Sequence, residues 1–263
     1  MKIVVLMENT AAAPGFCCEH GLSLYIETMG FKILFDAGQS AGFARNAEKL
    51  GIDLSKVDFA VLSHGHYDHG GGLVEFVKIN SHAPIYVSRS AFEPHHNGAG
   101  KDIGIDISNF DLTRVRFVDD HLQLGEGIGL HSCNDCEPLT PAEAYGQTVT
   151  VDGEQFPDAY RHEQYLLIEE NGKRVCFSGC SHKGILNIVH WFRPDVLVGG
   201  FHFMKIPATG AGKENLLTSA QALLNGGTVF YTGHCTGFDQ YEVLKTVMTY
   251  RLHRISSGIT ILI

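Results

Sequence analysis

The run Ser63-His64-Gly65-His66-Tyr67-Asp68-His69-Gly70 places three imidazoles and one carboxylate within the six residues 64–69. These are the side chains that hold Zn, Fe or Mn. Four donors this close are too many for one structural ion and suggest two cations side by side. Such a pair lowers the pKa of a bridging water towards neutrality and polarises a substrate oxygen. That chemistry serves hydrolysis of phosphoesters, thioesters, lactones or amides. It also serves a transfer in which diphosphate leaves. The plain alternative is a His-rich surface loop; further donors along the chain weigh against it.

A run this short converges on a metal only in a turn at the end of a rigid element. Phe59-Ala60-Val61-Leu62 reads as the strand that supplies it. The glycines 70–72 would let a helix beginning at Leu73 start close beneath the site. Upstream, strands are expected at 3–6, 22–27 and 32–35, the last two as a hairpin, and a helix at 43–50. Downstream come a short strand at 85–87, a hairpin at 165–169 and 174–177, and a helix at 184–192 stopped before Pro194. A strand at 196–198, a helix at 214–224, a strand at 228–231, a helix at 240–251 and a strand at 259–262 follow. Residues 88–150 are the least regular. They contain His95-His96, Lys101, the Asp-rich run 102–111 and Cys133-Asn134-Asp135-Cys136, and read as an inserted lid or specificity region over the site.

The Ser63–Gly70 run resembles the HxHxDH signature of the metallo-β-lactamase superfamily, and the resemblance extends over nearly the whole chain. It implies His64 and His66 on one cation, Asp68 and His69 on the other. Strand hairpins followed by βα units, in two halves, match that family's α/β (α+β) fold, a four-layer αββα sandwich formed by a single domain, 1–263. The metals would lie where the sheets meet.

Three further strands end in turns holding His or Cys: Ser178-Gly179-Cys180-Ser181-His182, Gly199-Gly200-Phe201-His202 and Thr232-Gly233-His234-Cys235. The superfamily's last motif implies His234 as a ligand of the second cation. Cys180 stands where the superfamily usually has a bridging Asp; a thiolate there is softer and shifts metal preference. The remaining ligand of the first site is ambiguous by spacing; His182, two residues after Cys180, is favoured by the resemblance of its Gly-Cys-Ser-His run to a subgroup of the superfamily. His162, 18 residues before Cys180, is the alternative, near the superfamily's spacing. The Gly-Cys-Ser-His run, the Gly-Gly-Phe-His and His-Cys-Thr-Gly turns, Glu8-Asn9-Thr10, Glu19-His20-Gly21-Leu22-Ser23 and Phe35-Asp36-Ala37-Gly38 resemble one subgroup. Its members are similar to the archaeal dihydropterin-methyl-ribofuranosylaminobenzene-phosphate synthase. The resemblance implies transfer of a pterin-methyl group onto an aromatic, phosphate-bearing acceptor.

The expected function is a hydrolase or transferase acting on a phosphorylated or anionic small molecule. It would use two divalent cations, zinc first, with manganese or iron as alternatives. Asp68 and a bridging hydroxide would handle the proton. His202 is a candidate substrate contact. Lys183, Lys205 and Lys101 are candidates to hold a phosphate. Asp36 reads equally as a carboxylate orienting a ligand imidazole or as a turn cap. His20, His95 and His96 read as supporting or surface residues. The Cys133/Cys136 pair lacks the second pair that a structural zinc needs, and Cys17-Cys18 carries no clearer signal. A di-iron redox enzyme and a non-enzymatic metal sensor are the competing functions.

A net charge of −9 leaves no basic footprint for nucleic acid. No apolar stretch approaches the roughly 20 residues that span a bilayer. Seven cysteines without a secretory signal fit reduced thiols and a cytoplasmic protein. A homodimer is the default expectation for assembly.

Overall fold

The computed structural model describes residues 1–108 and 112–263; the end of the Asp-rich run, 109–111, lies outside the described residues. Two seven-stranded sheets dominate. The first runs, edge to edge, Thr260–Leu262, Lys2–Met7, Ser23–Thr28, Phe31–Phe35, Phe59–Val61, Ile85–Ser88 and Val115–Val118. The second runs Leu252–Arg254, Val229–Thr232, Val196–Val198, Lys173–Phe177, Tyr165–Glu170, Ile128–His131 and His121–Gly125.

Strand alternation builds the layers. In the first strand Ile3 and Val5 face the second sheet, whereas Val4 and Leu6 face outwards. In the second sheet Val175, Phe177, Val196 and Val198 meet them across the interior, while Cys176 and Leu197 point away. The outward face of the first sheet is covered by helices Gly42–Lys49 and Leu73–Ile79 through Phe43, Ala47, Leu73 and Phe76. Helices Ile185–Phe192, Gly210–Leu224 and Phe238–Met248 cover the second. The result is the four-layer αββα sandwich.

Most expected elements form within a residue or two. The helix expected from 214 starts at Gly210, the last helix ends at Met248, and an additional edge strand forms at Leu252–Arg254. The stretch 88–150 divides. Val115–Val118 joins the first sheet, and His121–Gly125 with Ile128–His131 joins the second. These strands are therefore framework and not lid. His95–His96, Thr148–Val151 and Glu154–Pro157 form a separate three-stranded sheet.

Strand direction locates the site. Phe31–Phe35 and Phe59–Val61 are parallel. So are Lys173–Phe177, Val196–Val198 and Val229–Thr232. Parallel neighbours put their carboxyl ends on one edge, which is where the turns holding Asp36, His64, Cys180, His202 and His234 emerge. Close approach there demands glycine. A Cβ on Gly72 would lie 2.1 Å from Ala37 O, and one on Gly179 2.1 Å from Ser63 Oγ.

Candidate metal centre

The ligand atoms of His64, His66 and His182 lie within 4.8 Å of one another. The same holds for His64, His69 and Cys180, for Cys180, His234 and Cys235, and for His20, Asp68 and His234. Shared members link these sets into one continuous patch. His66 also belongs to a further set with His95, Asp158 and His162, so every expected ligand, the alternative His162 included, lies in the patch or directly against it. Cys235, quoted in the His234 turn but not assigned as a ligand, is an addition.

The ring nitrogens facing away from the patch are anchored. Asp36, at the end of strand Phe31–Phe35, accepts from Ser63 N and Ser63 Oγ at 2.7 Å each, and its Oδ2 lies 2.6 Å from His69 Nδ1. Ser63 Oγ gives its own proton to Asp36, so it accepts at 2.8 Å from His64 Nδ1. Asn9 Oδ1 takes the Gly21 N–H and lies 2.9 Å from His234 Nδ1. With Nδ1 protonated in all three rings, the Nε2 atoms turn inward. His69 Nε2 and His234 Nε2 are 3.1 Å apart, and His64 Nε2 and His182 Nε2 are 3.3 Å apart. Two inward lone pairs at that distance repel unless a proton or a cation lies between them. His66 Nε2 is buried with no hydrogen-bond partner. This donor set, imidazole with one carboxylate and a thiol, fits borderline divalent cations.

Electrostatics agree. Burial pushes His64, His66 and His182 well below the usual imidazole range, and neighbouring imidazoles push them further. Burial also lowers His69, but Asp36 and Asp68 outweigh it and the net shift is upwards. Burial would raise the Asp68 carboxyl; His69, His234 and His66 overcome it and hold the group well below its usual range. Asp68 Oδ2 lies 3.3 Å from both His234 Nε2 and His20 Nε2. Burial drives the Cys180 thiol well above its ordinary value, with Cys235 and Asp68 adding to the rise.

Braces hold the turns. Glu8 Oε1 accepts from His234 N at 2.6 Å. Glu163, fully buried, accepts from His182 N at 2.7 Å, Lys183 N at 2.9 Å and Tyr165 OH at 2.6 Å. Glu163 belongs to no motif and was not expected. Asp36, Ser181, His202 and His234 all adopt left-handed backbone, with φ between 49° and 60°. Such conformations cost of order 1–3 kcal/mol each and cluster where a site over-determines them.

Other candidates are placed elsewhere. Lys183 is buried and donates to Ser132 O, Asn134 Oδ1 and Glu163 O, so it ties segments together and cannot reach a phosphate. Lys101 and Lys205 lie over the rings of Tyr67 and Tyr145. His202 packs 4.2 Å from the His182 ring, in the wall of a cavity of about 450 Å³ also lined by Tyr145, Glu143, Phe203 and Asn215. His162 accepts from Gly65 N at 2.8 Å through Nδ1, and its Nε2 lies 3.3 Å from Asp158 Oδ2. His95 Nδ1 lies 2.9 Å from the same oxygen.

A sequence model of the metallo-β-lactamase superfamily matches residues 18–133. Over 285 aligned positions the chain is 30% identical to the 7,8-dihydropterin-6-methyl-4-(β-D-ribofuranosyl)-aminobenzene-5'-phosphate synthase of Methanocaldococcus jannaschii, covering 98% of this chain and 95% of that one. The chain belongs to the metallo-β-lactamase superfamily. Among solved structures it is similar to Tm1679, a metal-dependent hydrolase of the β-lactamase superfamily. That match has a TM-score of 0.82 and 28% identity, covering 100% of this chain and 99% of that chain. A UPF0173 metal-dependent hydrolase of Staphylococcus aureus is 35% identical over 38% of this chain and 44% of its own length. The fold of the superfamily implies divalent metal ions. Among the described residues no helix of this superfamily member is long and apolar enough to cross a membrane.

Proposed function

We propose that the protein is a metal-dependent hydrolase or group transferase acting on a phosphorylated or otherwise anionic small molecule at a two-cation centre. His64, His66 and His182 would hold one cation; Asp68, His69, His234 and Cys180 the other. The observation that carries this reading is the facing of buried imidazoles, His69 against His234, both anchored at Nδ1, and anchored His64 against His182, whose Nδ1 has no partner. Two divalent cations held there would activate a water and neutralise charge developing on a leaving oxygen.

His182 is favoured over His162 by hydrogen bonding. Gly65 N–H can only donate, so His162 Nδ1 is the bare nitrogen and Nε2 keeps the proton. A ring in that tautomer has no lone pair to offer at Nε2. Asp68, held ionised, serves as ligand and proton acceptor and not as an acid at neutral pH. His202, in the wall of the adjoining cavity, is positioned to touch substrate. The thiols of Cys180 and Cys235 favour zinc over magnesium or calcium. The synthase similarity makes a pterin diphosphate with an aromatic phosphate acceptor the first group-transfer pair to assay.

Elemental analysis of protein purified without added metal tests the reading, beside His182→Ala and Cys180→Ala. Two equivalents of zinc or manganese, falling in the variants, would support it and justify a screen of phosphoesters and pterin diphosphates. Less than half an equivalent would sink it. Iron as the bound metal would transfer the weight to redox chemistry.

A further inference from the structure

Beside the His234 turn lies a second cavity, of about 260 Å³, whose wall includes Asn9, Thr10, Met204, His234, Phe238 and Arg254. Arg254 is held there by the sheet. Its strand runs parallel to Val229–Thr232 with Arg254 opposite Thr232, two residues before His234. The guanidinium carbon stands 4.2 Å from the Phe238 ring centroid and 5.6 Å from that of Tyr241. Arg89 and Arg174 are paired with Asp119 and Glu169. Arg254 forms no ion pair among the described residues; its contacts are with rings.

A guanidinium stacked on aromatic faces keeps its N–H fork free and pre-oriented for bidentate capture of a phosphate. One carboxylate, Glu8, lines the same cavity. Its oxygens are occupied, Oε1 by His234 N and Oε2 by Thr10 N and Thr10 Oγ. Phe238 and Met204 are 59% and 44% exposed at this cavity, an apolar surface next to the cation. In a chain of net charge −9, a local cation at this cavity favours an anionic group there.

We propose that Arg254 anchors a phosphate monoester group of the substrate, with Phe238 and Met204 against the apolar part next to it. The proposal rests on the reading that the substrate is an anionic small molecule. Binding of phenyl phosphate to the metal-loaded protein, measured by calorimetry, tests it with Arg254→Ala, Arg254→Lys and Phe238→Ala. The expected result is an affinity loss of about tenfold or more in Arg254→Ala, a smaller loss in Arg254→Lys, which keeps the charge but not the fork, and a loss in Phe238→Ala. Arg254→Ala binding within about twofold of the parent overturns the proposal, as does a parent protein that does not bind the probe. Metal content measured on the same samples reports separately on the two-cation reading. Two equivalents with no Arg254 effect removes this inference alone.

Discussion

Asp36 Oδ2 lies 2.6 Å from His69 Nδ1, with neither side chain exposed to solvent. The same carboxylate reaches His64 through Ser63, so one buried group sets two rings of the candidate centre. Asp36→Asn keeps the volume but removes the charge and one acceptor. It should lower metal affinity about 10–100-fold, the usual effect of losing such a partner. Competition with a chromophoric chelator would show it; an unchanged affinity would mean the rings are oriented by packing alone.

His182 and His162 make opposite predictions for stoichiometry. His182→Ala should lose close to one equivalent of metal. His162→Ala should retain both, because that ring serves Gly65 N–H and Asp158. Retention of metal in the first and loss in the second would reverse the assignment.

Gly179 has no room for a methyl group. Its added Cβ would lie 2.1 Å from Ser63 Oγ and 3.0 Å from His64 Nδ1. Gly179→Ala should cost about 1–3 kcal/mol of stability by overpacking and disturb the Ser63–His64 hydrogen bond. Gly227, with nothing within 4 Å of its added Cβ, is the control. Urea denaturation of the two variants should separate them, and equal midpoints would contradict the packing argument.

Burial pushes His162 down to about 4, against the pull of Asp158. An unfolded His titrates near 6.5. The folded value is depressed, so the stability linked to this ring is complete above about pH 6.5 and lost as pH falls towards 4. In metal-free protein, His162→Asn should flatten the fall of unfolding free energy between those limits, by about 3 kcal/mol at most. Parallel pH profiles for parent and variant would show that the ring is not kept neutral by the fold.

The layered fold and the clustering of most candidate ligands were legible because both are encoded locally. Strand alternation and a six-residue ligand run need no long-range information. The choice between His182 and His162 was not, since spacing permits either and the hydrogen bond that argues for His182 comes from Gly65, 97 residues from His162. Glu163 carried no motif, and Cys235, though part of the His234 turn, was assigned no role; their places exist only once the turns meet. Lys183 looked like a phosphate ligand until segment 132–134 folded over it. A strand or two was expected within 88–150, but those at 115–131 could not be placed because they lie towards the sheet edges: His121–Gly125 is an edge strand with no fully buried residue, and so lacks a clear alternation of apolar side chains.

The Glu8–His234 hydrogen bond spans 226 residues. Closing a loop of that length is slow relative to local structure formation, although its entropy grows only logarithmically with length. The second cation would therefore meet a complete pocket only after the far ends of the sequence have come together. A cation captured there would act as a latch on a contact between residues 226 positions apart. Its removal should speed unfolding more than it slows refolding, so the bound cation would govern how long the protein lasts as well as how it reacts.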